Sequence, residues 1–146
     1  MESRSGALAR VSRRLPVTPD AAFSAWLEPQ KLSRWILAPG PGERISHVAI
    51  DARVGRSFTV VLRRDGEAIE HRGEYLEIVR PERLAFTWAV PSHSADEARV
   101  EVAIAPAGDG CDVTVTHVLH PRWAGYVPQA ETAWARMLEA MAVLFR

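Results

Sequence analysis

The chain has 146 residues, 47% of them hydrophobic, and its eighteen basic and eighteen acidic side chains cancel to a formal charge of zero. One domain of this length can bury about 70% of the surface its unfolded chain exposes, so a sizeable core is available. The neutral balance removes the broad positive field that phosphate backbones reward, and no nucleic-acid partner is expected.

Residues 1–7 are polar and small, an expected loose end. Arg4, Arg10, Arg13 and Arg14 follow without an apolar run before Pro16, so no secretory leader is expected. No stretch is long and apolar enough for a spanning helix. A cytoplasmic protein without membrane contact is the expectation. Leu8 to Leu15 reads as a first strand, although Leu8, Val11 and Leu15 do not alternate strictly. Thr18-Pro19-Asp20 then carries a helix start: a hydroxyl cap, a proline at the first helical position, and an acid at the positive end. That helix should turn Ala22, Phe23, Trp26 and Leu27 inward and stop before Pro29, with a second short helix over Gln30 to Trp35.

Pro39-Gly40-Pro41-Gly42 ends the helical part. Six strands are predicted after it, over Ile45 to Arg53, Ser57 to Arg64, Ala68 to Val79, Arg83 to Val90, Ala98 to Ala105 and Cys111 to Leu119. Asp65-Gly66 and Gly108-Asp109-Gly110 supply hairpin turns, and Pro81 presets another. From Pro128 to Phe145 a long amphipathic helix places Ala130, Trp134, Met137, Leu138, Met141 and Phe145 on one stripe. A curved seven-stranded antiparallel sheet wrapped around that C-terminal helix buries every apolar face at once. This α+β arrangement is the helix grip, here as a single domain over 1–146.

The segment Arg72 to Trp88, RGEYLEIVRPERLAFTW, resembles the pattern G-x-Y-x-E-I-x-P-x-E/R-L-x-F-T-W of the heat-shock protein 90 ATPase activator-like family, a branch of the START-like (SRPBCC) superfamily. The likeness extends over Leu15-Pro16, Ala25-Trp26, Leu32-x-x-Trp35, Val54-Gly55-x-x-Phe58, Asp65-Gly66, Thr114-x-Thr116-His117 and Trp134-x-x-x-Leu138. Gly55-Arg56 stands where the family often has Gly-Gly, and the Trp35-Ile36 region lacks the family's frequent Trp pair with a following Gly-Pro. The resemblance implies the helix-grip fold, an internal cavity, and a link to heat-shock protein 90 and the stress response. Two-domain eukaryotic activators carry an additional N-terminal domain, for which this chain is expected to have no residues.

Alternation turns Phe58, Val60, Leu62, Gly73, Tyr75, Leu84, Phe86, Trp88, Val100, Val102, Ile104, Val113, Val115 and His117 inward. A cavity of about 300 Å³ behind them would cost about 7 kcal/mol if empty, so side chains, water or a ligand must fill it. The expected ligand wall comprises Trp26, Trp35, Phe58, Val60, Tyr75, Phe86, Trp88, Val102, Val115, His117, Trp134, Leu138 and Met141. Trp26, Trp88 and Trp134 serve equally as ordinary core, while Trp35, Trp123 and Tyr126 are candidates for the pocket mouth. His117 and Tyr75 are the inward polar groups, with His71 sharing their parity.

No catalytic residue and no metal or other cofactor is assigned. His117-x-x-His120 lacks metal-binding geometry on a strand, and Ser57, Ser92 and Ser94 lie outside any nucleophile elbow. Cys111, the only cysteine, excludes an internal disulfide and reads as a small buried hydrophobe. The leading expectation is a domain, monomeric or homodimeric, that binds a hydrophobic or aromatic small molecule between sheet and C-terminal helix. The alternatives are a heat-shock protein 90 co-chaperone module, with a chaperone as partner, and a polyketide cyclase- or aromatase-like enzyme using His117 with Tyr75.

Overall fold

The computed structural model describes residues 7–146. Eight-residue β1 (Leu8–Leu15) leads into α1 (Pro19–Leu27) and α2 (Pro29–Leu32). Six strands follow: β2 (Glu43–Ile50), β3 (Ser57–Arg64), β4 (Glu67–Val79), β5 (Arg83–Trp88), β6 (Ala98–Ala107) and β7 (Gly110–Val118). A 3₁₀ segment (Pro121–Tyr126) then delivers the chain to α3 (Val127–Val143). The strands form one antiparallel sheet in the order β1-β7-β6-β5-β4-β3-β2. The helix-grip fold is thus present, with α1 and α2 spanning the connection between the two edge strands.

Local chemistry explains the boundaries. Thr18 caps α1, its hydroxyl accepting from the Ala21 amide at 3.2 Å, and Pro19 occupies the first turn. Helix α2 lasts only one turn, ending at Leu32 rather than Trp35, and the chain passes through positive φ at Leu37 and Ala38. Trp35, between the helix end and these residues, is fully buried. The described chain begins with Ala7 buried, its carbonyl accepting from the Leu119 amide at 2.9 Å, so the expected loose end can apply only to residues 1–6, outside the described residues.

Two bulges account for broken alternation. Between Ile45 and His47 the register with β3 shifts, so Ile45, Val48 and Ile50 all reach the core side. Between Tyr75 and Glu77 it shifts again, leaving Leu76 exposed while Tyr75 and Ile78 both pack inward. In β1 the irregular spacing resolves otherwise: Ala9, Val11 and Leu15 take the inner face and Leu8 is exposed.

Gly73 is required by close approach. A Cβ there would stand 1.8 Å from the Thr87 carbonyl oxygen and 2.7 Å from the Phe58 ring. Helix α3 buries Ala130, Trp134, Met137, Leu138, Met141 and Ala142 at three-to-four spacing. Its outer side ties back to β1 through Arg13 and Glu139. Among the described residues no helix is long and apolar enough to cross a membrane.

Candidate functional site

The residues predicted to face inward do so. Val60, Val100, Val113 and Val115 are fully enclosed, and Phe58, Tyr75, Leu84, Phe86, Val102, Ile104 and His117 are buried beside them. Aromatic rings occupy the space between sheet and α3. Trp26 lies edge-on to Trp35 at 4.6 Å and stacks on Trp134 at 6.0 Å, while Phe58 meets Phe86 at 5.2 Å and Trp88 at 5.9 Å. The void left among Trp26, Leu32, Ile36, Phe58, Val60, Tyr75, Leu84, Phe86 and Trp88 is about 10 Å³. That is room for about one water, so side chains fill the interior that was expected to hold a ligand.

A larger recess opens next to it, on the other side of Trp88. It measures about 250 Å³ and is walled by Trp88, Val90, Leu119, Trp123 and Tyr126, with His93, Ser94, Asp96, Glu97, His117 and His120 supplying polar groups. The ends of β5, β6 and β7, the 89–97 loop and the 3₁₀ segment bring these residues together. His120 caps that segment, its Nδ1 accepting from the Arg122 amide at 3.1 Å. Trp123 donates its indole N–H to Asp96 at 2.7 Å, and Arg122 pairs with the same carboxylate at 3.4 Å. These bonds bridge the loop and the 3₁₀ segment and hold the Trp123 ring, 40% exposed, at the rim beside Tyr126.

His117 links recess and core. Trp134 donates its indole N–H to His117 Nδ1 at 3.0 Å, so the neutral imidazole carries its proton on Nε2. Nε2 is buried and has no hydrogen-bond partner among the described residues. Desolvation pushes the His117 pKa down to about 4, which keeps the ring neutral near pH 7. Burial also lowers the pKa of His71, whose ring lies 5.6 Å from Trp88, and raises the Tyr75 phenol well above its usual range.

Of the expected ligand wall, Trp88 and His117 line the recess; Trp26, Phe58, Val60, Tyr75 and Phe86 surround the small void with Trp88. Trp35, Val102, Val115, Trp134, Leu138 and Met141 are buried core. Trp35 is corrected as a mouth residue: it is fully buried and donates its indole N–H to the Ala25 carbonyl at 2.9 Å. Trp123 and Tyr126 line the recess and not the interior void. Tyr75 packs against Phe58 and Phe86, whereas His117 packs against Trp134, so the two line different spaces. Cys111 is buried at the start of β7, and burial raises its thiol pKa. Among the described residues no cluster of three or more His, Cys, Asp or Glu side chains has metal-binding geometry.

The contribution of His93, Asp96, Glu97 and Leu119 was not foreseen. The 91–97 stretch, PSHSADE, carries no apolar period, and only its folding across the sheet's end makes it a wall.

The family profile described as Activator of Hsp90 ATPase homolog 1-like protein matches residues 16–146. No curated protein matches. Among solved structures, protein CV1439 from Chromobacterium violaceum is similar at TM-score 0.84 and 25% identity, covering 95% of this chain and 96% of its own. Protein NE0264 from Nitrosomonas europaea is similar at TM-score 0.83 and 20% identity, covering 99% and 97%. DynU16, a protein of the dynemicin biosynthetic locus, shares the fold at TM-score 0.75 and 19% identity, with 93% of this chain matching 46% of that one.

Proposed function

The chain belongs to the Activator of Hsp90 ATPase homolog 1-like family, and on that premise we propose that it binds a hydrophobic or aromatic small molecule in the recess walled by Trp88, Trp123 and Tyr126. The observation that carries this reading is an open, aromatic-walled space of about 250 Å³ with the buried His117 among its lining residues. Exposed indole and phenol rings are costly to leave in water, and a flat apolar guest covers them. The interior, at about 10 Å³, accepts such a guest only if the aromatic cluster opens. The recess therefore replaces the interior as the primary binding place, with Trp88 as the wall common to both.

Mass spectrometry of small molecules released from natively purified protein tests the proposal. A recovered apolar compound that perturbs Trp123 fluorescence on re-addition, with the response lost in Trp123→Ala, supports it. A compound that binds unchanged in Trp88→Ala and Trp123→Ala places the site elsewhere.

Family membership favours a second reading, an interaction with heat-shock protein 90. A partner stimulates turnover only by contacting one chaperone state more favourably than another. ATP turnover by purified heat-shock protein 90, with this protein in excess, should rise less than about twofold if the small-molecule role stands alone, about 0.4 kcal/mol on the barrier. A severalfold, saturable rise establishes the chaperone reading. A cyclase- or aromatase-like reaction is the third reading, and it would have to use His117 without Tyr75, since the two groups line separate spaces.

A further inference from the structure

We infer that the recess takes an organic cation with an apolar or aromatic body, a quaternary ammonium or an N-alkylated heteroaromatic, held against ring faces and carboxylates; this rests on the recess being the binding site. Trp88, Trp123 and Tyr126 line it together with Asp96 and Glu97, and among the described residues no lysine or arginine does. A guest there meets π faces and negative charge without a fixed positive charge. Aromatic faces carry the negative part of a quadrupole and attract cations, indole most strongly. A hydrocarbon gains only burial from these walls, and an anion is opposed by them.

The rings and charges are placed by separate contacts. Trp123 and Tyr126, both exposed on the 3₁₀ segment, lie 6.4 Å apart with their planes at 75°, which makes a corner of two rings, and Trp88 adds a third ring from β5. Asp96 accepts the Trp123 indole N–H at 2.7 Å, and a bond from the indole to an anion polarises electron density into the ring. Arg122 offsets part of the Asp96 charge at 3.4 Å, but it is not a lining residue. Glu97 keeps its charge. Arg99, two positions on, is engaged by Glu101 at 2.7 Å, and Arg72, which borders the outer depression beside Glu97, lies 3.8 Å from Glu70. The buried His117 is neutral near pH 7 and adds no positive charge. A primary ammonium is strongly hydrated and resists leaving water, whereas an alkylated cation presents carbon to the rings and keeps its charge.

Three benzyl compounds that differ in charge at one tetrahedral centre separate the possibilities: benzyltrimethylammonium, neopentylbenzene and phenylmethanesulfonate. Each is titrated by calorimetry and by nitrogen-15 correlation spectra at about pH 8, which keeps imidazole charge out of the comparison. Benzyltrimethylammonium should bind about fivefold tighter than neopentylbenzene, with the sulfonate weakest, and should move the Trp123 indole N–H resonance. Tyr126→Leu keeps an apolar wall without a π face, and Glu97→Gln removes a charge. Both residues are exposed, so the fold tolerates either change. Each variant should cut the advantage of the cation to about twofold while the affinity for neopentylbenzene holds. Neopentylbenzene binding as tightly as the cation, or a preference for the sulfonate, with the Trp123 resonance moving, overturns the cation class while leaving the recess as the site. An undiminished advantage of the cation in both variants overturns its recognition by these groups. No movement of the Trp123 resonance with any probe overturns the recess reading itself.

Discussion

Trp134 on α3 donates its indole N–H to His117 Nδ1 on β7 at 3.0 Å, joining the long helix to the sheet through a buried side-chain bond. The pair does two things at once. It satisfies the indole donor in the core, and it fixes an imidazole whose other nitrogen is buried without a partner among the described residues, on a residue that also lines the recess.

Stability should depend on this imidazole staying neutral. In the unfolded chain its pKa is near 6.5, and in the fold it is about 4, so the unfolded state binds more protons between these values. The contribution is therefore fully present above about pH 6.5 and is lost as pH falls toward 4, by on the order of 3 kcal/mol. His71, also held down by burial, acts in the same direction. Urea unfolding between pH 7 and 4 checks the sign; His117→Gln should be less stable at pH 7 and should lose less on acidification. An unchanged pH slope in the variant would assign the effect to other groups.

Replacing Trp134 by Ala should cost about 3 to 5 kcal/mol, because the ring is 2% exposed and packs against Trp26, Trp88 and His117. Trp134→Phe should cost less but still free His117 Nδ1. A loss below about 1 kcal/mol in Trp134→Ala, measured by denaturant unfolding, would remove this residue from the core account.

Trp88→Ala should be milder, about 2 kcal/mol, since Trp88 is only half-buried. Its more telling consequence is spatial: the void near Tyr75 and Phe86 would join the recess beside His117. Fluorescence of an apolar dye should rise with the enlarged space. Dye binding identical to that of the parent would show that Trp88 does not divide the two.

Gly73→Ala should destabilise by about 3 kcal/mol, near the upper end for overpacking, because the obstacle is the Thr87 backbone oxygen as well as the Phe58 ring. The paired β4–β5 hairpin would have to separate. Thermal unfolding checks this, and a fully stable variant would refute the close approach of the two strands.

The order of elements was legible from local chemistry alone. Thr18-Pro19 started a helix, Asp65-Gly66 turned a hairpin, and the period-two apolar positions of β3, β5, β6 and β7 identified their buried faces. The stripe on α3 announced its partner surface. These are properties of residues a few positions apart, and backbone geometry converts them directly into structure.

Tertiary structure decided the site. Whether Trp26, Trp35, Phe58, Phe86, Trp88 and Trp134 enclose a cavity or fill it depends on ring angles set by several elements at once, which no spacing encodes. Trp35 shows the same dependence: it lies beyond the single turn of α2, and its ring is fully buried with the indole N–H given to the Ala25 carbonyl of α1. The recess is formed from residues as distant in sequence as Trp88, His117 and Tyr126, with a loop of polar residues closing its side. Sequence determined the faces that had to be buried; packing between non-neighbours determined where space was left over, because volume is conserved across the whole core and not along the chain.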